Sequence, residues 1–407
     1  RVTARGMNRH TFVLPGEAPV RVALVHDWLT GMRGGERCLE VLCEVFPDAP
    51  LFTLLHVPGS VSPTIENRQI ITSFLRRFPG VESRYRYFLP LFPWAIERFD
   101  LQGYDLILSA SHCVAKGVRV PAGALHLCFC FTPMRYVWDL YRDYFGERAG
   151  RAARLLMPPV AAALRRWDRA TAKRVHHFVA ISRFVAERIR RCYGRTADVI
   201  YPPVDIRRFR LAEELGEFYL MVSALTPYKR VDLALAAVNR LGVRLVVVGS
   251  GPEEVRLRAL AGPTVKLLGW RSDDEVSELY ARCRALLFPS VEDFGIAPLE
   301  AMASGRPVIA LGHGGARETV VPLNDGAEAP TGVFFAEQTV ESLVEAIHRF
   351  EANAHRFDPK ALRAHAEAFD RPLFKERIEA WVAQRWKEFA RPLPPDEWVP
   401  GPVPESE

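Results

Sequence analysis

Features that mark membrane-spanning or secreted proteins are missing from this sequence. No apolar run approaches the roughly 20 residues that a membrane-spanning helix needs, and no signal-peptide pattern opens the chain. The seven cysteines are an odd number without paired spacing, which favours a reducing compartment over a disulfide framework. Cys128 and Cys130 have no second pair to complete a zinc site, so we expect them to be buried strand cysteines.

Metal and dinucleotide signatures are lacking as well. No Asp-x-Asp signature stands at a strand end, so we expect neither a metal nor another cofactor. The glycines of Gly34-Gly35 and Gly249-Ser-Gly251 do not complete the dinucleotide fingerprint, which counts against a dehydrogenase. Cationic side chains and helix ends would have to supply the positive charge that a metal supplies elsewhere.

The chain has material for more than one core. Its 407 residues exceed one ordinary domain, and 49% hydrophobic with 25% charged residues is a globular composition. The net charge of +6 is uneven, because residues 142–195 hold fourteen Lys or Arg against four Asp or Glu. Such a basic face suits nucleic acid, phosphate groups or an anionic bilayer, and the plain alternative is a solvated helical surface.

Strand and helix patterns alternate twice along the chain. In the first half we predict strands at 20–26, 49–55, 104–109, 124–129 and 176–180. A glycine-bearing loop at 31–35 leads into a helix at 36–46, and Ser182 is the predicted N-cap of a helix at 183–193. In the second half we predict strands at 218–223, 244–248, 264–268, 285–288 and 307–310, with helices from 232 and at 275–282.

This alternation predicts an α/β protein with two facing, Rossmann-like, doubly wound parallel sheets and a cleft between them. A strand from Asp198 runs into Pro202-Pro203, a stiff pair that we predict to be a hinge. The predicted divisions are a flexible leader at 1–19, a first Rossmann-like domain at 20–204 and a second at 205–370. A helix at 371–390 and a mobile tail at 391–407 follow.

Glu292 and Glu300 bracket the most informative segment. It follows the apolar run 285–290, a predicted buried strand, and precedes a helix that starts near Gly295 and stops at Gly305. One carboxylate therefore lies in a loop at a strand's carboxyl end, where open α/β sheets bind ligands, and the other lies in the helix that follows. A solvated loop acid and a surface helix acid are the plain alternative.

Three further groups stand at predicted strand ends. Gly34 and Gly35 allow close backbone approach to phosphate at a helix start, although tight turns also favour glycine. Lys229 and Arg230 suit neutralisation of a diphosphate leaving group, although paired cations in exposed loops are common. His112 could orient a sugar or assist proton movement, and His26 has a weaker version of the same case. Either histidine could instead be structural.

These residues resemble those of retaining glycosyltransferases of the GT-B fold, in the large fourth sequence family. The resemblance covers most of residues 20–390, and the paired glutamates with Phe294, Gly295 and the Pro-Leu-Glu-Ala-Met-Ala that follows match the family motif. It implies that Glu292 contacts the transferred sugar and Glu300 the nucleotide ribose. It also implies that backbone amides of the Gly295-Ile296-Ala297 turn bind phosphate.

The same resemblance implies roles for other residues. Lys229 matches the phosphate-binding lysine, Gly34 and Gly35 match the glycine loop, and His112 matches the histidine near the sugar and acceptor. The resemblance makes the domain at 20–204 the acceptor side and the domain at 205–370 the nucleotide-sugar side, and a helix near 374–386 is expected to cross back to the first domain. Two positions depart from the pattern, since Ala224 and Phe131 stand where the family has an arginine and where relatives commonly have a histidine. Arg230 could replace the missing arginine.

The segment Thr132-Pro-Met-Arg-Tyr-Val-Trp-Asp139, which includes Arg135, resembles mannosyltransferases of bacterial surface-polysaccharide assembly. This makes GDP-mannose the leading donor and a lipid-linked or glycan hydroxyl the expected acceptor. The mixed aromatic and basic stretch 84–94 could rest on an anionic bilayer or form a core helix with basic edges. We therefore expect a cytoplasmic protein, peripheral on the inner face of the membrane, with no nucleic-acid partner.

Other functions fit parts of the sequence. A nucleotide-sugar epimerase shares this fold and needs a donor but no acceptor. A basic protein that binds nucleic acid through residues 142–195 would leave the cleft motifs unexplained. A catalytically inactive sugar-binding relative is the third alternative, because Ala224 and Phe131 both depart from the pattern.

Overall fold

The computed structural model describes residues 11–12, 19–139, 141, 151–324, 326 and 328–390. The predicted leader and tail therefore lie almost wholly outside the described residues. The described part of the chain forms two α/β units, each built on a parallel sheet, as the sequence predicted.

The first sheet comprises strands β1 to β8, which are Thr11–Phe12, Val20–His26, Leu51–Thr53, Ile70–Thr72, Leu106–Ser111, Leu125–Cys130, His177–Ala180 and Ala197–Val199. Seven of them follow the order β4-β3-β2-β5-β6-β7-β8 with parallel pairing, and β1 pairs antiparallel with β2. The central strands are buried on both faces, as parallel strands covered by helices are.

The second sheet comprises strands β9 to β14, which are Phe218–Val222, Arg244–Val248, Val265–Gly269, Leu286–Phe288, Val308–Leu311 and Gly332–Phe335. Their order is β11-β10-β9-β12-β13-β14, and every pairing is parallel. The order reverses direction between β9 and β12, which places a crevice at the carboxyl ends of these two strands.

Helices cover both faces of each sheet. In the first unit they are α1 to α6, at Gly34–Val45, Pro63–Glu66, Val81–Arg84, Phe92–Ile96, Arg151–Thr171 and Arg183–Tyr193. The later helices are α7 to α14, at Val231–Leu241, Glu254–Leu260, Asp273–Arg282, Ile296–Ala303, Ala316–Thr319, Val340–Ala352, Pro359–Glu367 and Arg371–Ala390. Within the described ranges, none of these helices is both long and apolar enough to cross a membrane.

The predicted strands and helices are all present, with ends shifted by a few residues. Ser182 caps α6, and its hydroxyl accepts from the backbone N–H of Val185. Cys128 and Cys130 are buried in β6, as predicted. Strands β1, β4 and β14 were missed. Strand β1 has two residues within the predicted leader, and β4 and β14 are short runs at sheet edges, with a glycine that strands disfavour at the start of β14.

The chain passes between the units twice, along two segments that lie side by side. The backbone N–H of Val204 donates to the carbonyl of Phe369 (2.9 Å), and the N–H of Arg371 donates back to Val204 (3.1 Å). Helix α14 then packs against the first unit. Its Trp381 donates through Nε1 to Asp198 Oδ2 (2.8 Å).

A buried ion pair fixes α5 to the first sheet. The Lys116 ammonium follows β5, is 2.8 Å from Asp168 Oδ1, and donates to the Asp168 carbonyl (2.7 Å) and to Thr171 Oγ1 (3.1 Å). Asp168 also accepts from Trp138 Nε1 (2.8 Å) and from the Tyr193 hydroxyl (2.9 Å). Because both ions are desolvated, removal of either one leaves an uncompensated buried charge.

We therefore expect Lys116→Met to lower the free energy of unfolding of the first unit by about 3–5 kcal/mol. Urea unfolding followed by tryptophan fluorescence measures this change. The matched control is Lys173→Met, since Lys173 is exposed, and it should change stability by less than about 0.5 kcal/mol. Equal stability of the two variants would contradict a structural role for the buried pair.

Candidate active site

A cleft of about 420 Å³ lies between the carboxyl edges of the two sheets. Ten of the twelve predicted site residues line it, namely Gly34, Gly35, His112, Arg135, Lys229, Glu292, Phe294, Gly295, Ile296 and Ala297. Arg230 and Glu300 do not line it. The structure thus brings most of the candidates together from segments that are far apart in sequence.

Glu292 lies in the loop between β12 and α10 and is buried. Its Oε1 accepts from the Ser290 hydroxyl (2.9 Å) and from the Lys229 ammonium. Gln338 ties the start of the same loop by donating through Nε2 to the Pro289 carbonyl (2.8 Å). A carboxylate held in this way is a hydrogen-bond acceptor at the cleft wall, suited to hydroxyl groups of a sugar.

The glycine-rich loop 312–315, which follows β13, packs against the Glu292 loop. The backbone N–H of Gly315 donates to the Glu292 carbonyl (2.8 Å). A Cβ at Gly315 would lie 2.4 Å from Phe294 Cα and 2.6 Å from the Asp293 carbonyl oxygen. Only glycine allows the two backbones to approach this closely.

The start of α10 presents backbone amides to the cleft. Gly295 precedes this helix with φ +92°, a conformation that favours glycine. The first N–H groups of a helix have no partner within it and carry partial positive charge, so they suit an anionic group. Lys229 lies in the same cleft and adds a full positive charge.

Arg230 has a different environment from its neighbour. It is the only non-glycine residue with positive φ (+52°) among those described, and it precedes α7. Its guanidinium donates to Asp232 Oδ1 (3.2 Å) and to Gln338 Oε1 (2.9 Å). The structure therefore ties Arg230 to the support of the Glu292 loop, and Lys229 is the cation of this pair that faces the cleft.

His112 follows β5 and is held by a buried carboxylate that the sequence analysis missed. Asp27 accepts four backbone N–H bonds of 2.6–3.0 Å, from His112, Cys113, Val114 and Ala115. His112 Nδ1 lies 3.1 Å from Asp27 Oδ2, and its ring makes a T-shaped contact with Trp28. Burial lowers the pKa of His112, so near neutral pH its uncharged ring keeps Nε2 available to a ligand.

The glycine loop of the first unit rests on a second buried pair. Glu36 accepts from the backbone N–H of Arg33 (3.0 Å) at the start of α1, and its Oε1 is 3.7 Å from His26 Nε2. Burial favours the neutral forms, but mutual attraction outweighs it, which raises the pKa of His26 and lowers that of Glu36. His26 is fully buried beneath Gly35 and does not line the cleft.

Glu300 lines a smaller cavity of about 180 Å³, where Arg37, Arg208 and Arg371 are neighbours. Its Oε2 accepts from the Tyr280 hydroxyl (3.0 Å), and burial raises the pKa of the Glu300 carboxyl. Ile296 lines both this cavity and the main cleft. The two glutamates of the motif therefore face different chambers on the two sides of one isoleucine.

Asp293 is the second site residue that the sequence analysis missed. It is buried, and its carboxylate accepts from Arg135 and Arg188 of the first unit. The sequence held an indication of this role, because an acid that stands directly between the motif residues Glu292 and Phe294 needs a partner of its own in the folded loop. Asp27 gave a similar signal, since it directly follows an apolar strand.

Each of the two units matches the model of a known protein family. Residues 32–208 match the family described as Glycosyltransferase Family 4, and residues 205–368 match Glycosyl transferases group 1. A GDP-mannose-dependent alpha-mannosyltransferase of Mycobacterium tuberculosis is 38% identical over 114 residues, 28% of this chain and 30% of that protein. The O-antigen chain mannosyltransferase C of Escherichia coli is 29% identical over 168 residues, 39% of this chain and 44% of that protein.

A glycogen synthase of Pseudomonas savastanoi is 31% identical over 170 residues, 39% of this chain and 34% of that protein. The chain thus spans less than half the length of each of these three relatives.

Solved structures agree on the fold over nearly the whole chain. The Anabaena HepE complex with UDP and glucose has a TM-score of 0.63 at 17% identity, and the match covers 89% of this chain and 99% of that one. Sucrose-phosphate synthase from Thermosynechococcus elongatus has a TM-score of 0.67 at 19% identity, covering 90% and 100%. The two parallel α/β units have the GT-B fold, and together they match two glycosyltransferase family models over residues 32–368.

Proposed function

We propose that this protein is a retaining hexosyltransferase that uses a nucleotide diphosphate sugar, with GDP-mannose as the leading donor. The observation that carries the proposal is the pairing of Lys229 with Glu292 beside the first amides of α10, in one cleft with His112. This places a fixed anion, a cation, helix amides and a neutral imidazole around one space. The cation and the helix amides suit a diphosphate, and the carboxylate and the imidazole suit the hydroxyl groups of a sugar.

In the proposed reaction the bond between the anomeric carbon and a diphosphate oxygen breaks. Lys229 and the amides of Gly295–Ala297 stabilise the negative charge that develops on that oxygen. The acceptor hydroxyl bonds to the anomeric carbon on the same face, and its proton passes to the departing diphosphate oxygen. Charge and atoms balance without a separate general base or a metal, and the configuration at carbon is retained.

Glu292 and His112 hold the sugar in this scheme. The carboxylate accepts hydrogen bonds from sugar hydroxyls, and the neutral imidazole, whose Nδ1 faces the Asp27 carboxylate, accepts one through Nε2. The diphosphate competes with Glu292 for Lys229, so donor binding frees an oxygen of Glu292 to face the sugar. Two of the relatives are named as mannosyltransferases, which favours mannose as the transferred sugar. Another is named as a glycogen synthase, which makes a glucosyl donor the alternative.

The acceptor is proposed to be a lipid-linked or glycan hydroxyl that enters on the side of the first unit. Tyr85 and Arg86 line the cleft and belong to the surface segment 74–98. In this segment Phe78, Tyr87, Leu91 and Trp94 are exposed, whereas Tyr85, Leu89 and Phe92 are buried. The segment thus has a core face and an apolar outer face, and its five arginines against two glutamates suit an anionic bilayer.

A donor screen by thermal shift tests the proposed donor. Among GDP-, UDP- and ADP-sugars we expect GDP-mannose to raise Tm most, since binding to the folded state at 100 times Kd adds about 2.7 kcal/mol. Chromatography of the donor incubated alone is the control, and it should show the donor intact or slowly hydrolysed. Conversion of the donor to an epimer would show that the protein is an epimerase and not a transferase.

Two substitutions separate the proposed roles of Lys229 at the diphosphate in the main cleft and of Glu300 at the nucleotide ribose in the smaller cavity. Lys229→Ala should lower kcat by about 10²-fold, because it removes a group that acts on the developing charge. Glu300→Ala should raise the donor KM about tenfold, equivalent to about 1.4 kcal/mol, with a smaller effect on kcat. Steady-state kinetics with Lys266→Ala as the exposed control measures both. Near-normal kinetics of both variants would refute the assignment.

Sedimentation with phosphatidylglycerol vesicles tests the membrane surface. We expect the protein to pellet at low salt and to be released at high salt. Trp94→Ser should weaken binding about tenfold, since inserting a large side chain is worth about 1.5–3 kcal/mol. Trp270→Ser is the matched control, because Trp270 is exposed on the second unit. Failure to pellet, or equal loss in both variants, would exclude this surface.

A further inference from the structure

The loop of Glu292 is tied to the first unit through the residue that follows it. The Asp293 carboxylate accepts from Arg135 and Arg188, and both arginines belong to the opposite unit. In contrast, the Glu292 carboxylate accepts from Lys229 and Ser290, which belong to the same unit as Glu292 itself. Adjacent acids in one loop thus face different units.

Arg188 connects Asp293 to both ends of one cleft loop. Its Nη1 also donates to Thr132 Oγ1 (2.7 Å), and its Nε pairs with Asp139. Arg135 lies between these two residues and lines the cleft, as does Thr132. A single buried network therefore joins the loop 132–139 of the first unit to the Glu292 loop of the second.

The electrostatics of the network favour a charged Asp293. Burial opposes its ionisation, but the charges of Arg135 and Arg188 outweigh that effect and lower the pKa of the Asp293 carboxyl. The aspartate is therefore an anion at neutral pH, with its countercharges supplied by the other unit. Separating such a buried pair leaves uncompensated charges, so the arrangement that keeps Asp293 with both arginines is favoured over displaced ones.

A second contact orients the helix that carries Arg188. Glu318 of the second unit accepts from the backbone N–H groups of Arg183 (2.8 Å) and Phe184 (2.9 Å), the first two residues of α6. The Tyr201 hydroxyl donates to the same carboxylate (3.1 Å). The Glu318 anion satisfies helix amides that have no partner within α6, and so it fixes the helix relative to the second unit.

We propose that Asp293 is a positioning residue for glycosyl transfer, because it sets Glu292 in register with the acceptor-side loop 132–139. This inference rests on the proposed function. The donor contacts assigned to Lys229, Glu292 and the α10 amides lie in the second unit, so they persist without Asp293. The alignment of the sugar with the acceptor hydroxyl depends on the two units being held together, and misplacement by about 1 Å can cost about 10²-fold in rate.

The test is Asp293→Asn in the full chain, which keeps the side-chain shape and removes the charge. We expect transfer kcat to fall at least about tenfold while the Kd for GDP, or for the nucleotide chosen by the donor screen, changes less than about threefold. The ratio of donor hydrolysis to transfer should rise, because water is excluded less well when the units are not in register. Asp274→Asn, on an exposed helix start, is the matched control.

Arg188→Lys is the second variant, since a lysine keeps the charge but loses the guanidinium fork, whose Nη1 binds Asp293 and Thr132 while its Nε pairs with Asp139. It should show the same shift toward hydrolysis, and combining it with Asp293→Asn should cost less than the product of the two single effects. Unchanged kcat and unchanged hydrolysis ratio in both folded variants would overturn the proposal. Equal losses of kcat and nucleotide affinity would also overturn it, since they indicate a general structural role.

Small-angle X-ray scattering gives a readout that does not depend on the reaction. We expect a larger radius of gyration for Asp293→Asn than for the native chain, with and without GDP. If the native chain transfers no sugar, the proposed function fails, and the scattering still decides whether Asp293 holds the units in register. Identical scattering of the native and variant chains would reject the positioning role.

Discussion

The site depends on one geometric constraint, which is that a parallel sheet collects the carboxyl ends of all its strands at one edge. In this protein two such edges face one cleft. His112 follows β5 and Thr132 follows β6 in the first unit, while Lys229 follows β9 and Glu292 follows β12 in the second. Residues 180 positions apart in sequence, such as His112 and Glu292, thus line one space of about 420 Å³.

Charge distribution within the cleft follows a second rule, that buried ions need partners. Lys229 is paired with Glu292, and the arginines at 135 and 188 are paired with Asp293. The Asp27 carboxylate, which directly follows β2, accepts from four backbone N–H groups of the His112 loop. It therefore shapes the wall of the cleft that the first unit supplies. The cleft therefore has fixed charges before a ligand arrives, and an anionic diphosphate would exchange for a carboxylate already present.

Local sequence patterns located the elements well where strands are apolar and bounded by glycine, serine or proline. The Ser182 cap and the strand Val20–His26 are examples. Short edge strands such as Ile70–Thr72 were missed because three residues carry too little periodicity. The sequence also placed Lys229 and Arg230 together as cations of one site, whereas the positive φ of Arg230 turns successive side chains toward different partners, Glu292 and Gln338.

The α/β class, the two sheets and ten residues that line the cleft could be predicted from the sequence, because they follow from local periodicity, glycine positions and the family motifs. Which charged groups face one another became clear only from the three-dimensional arrangement of the segments. It put Glu300 in a separate chamber behind Ile296, buried His26 beneath Gly35, and assigned Asp293 to arginines of the other unit. Ion pairing depends on distances between segments, and such distances have no signature in the spacing of residues along the chain.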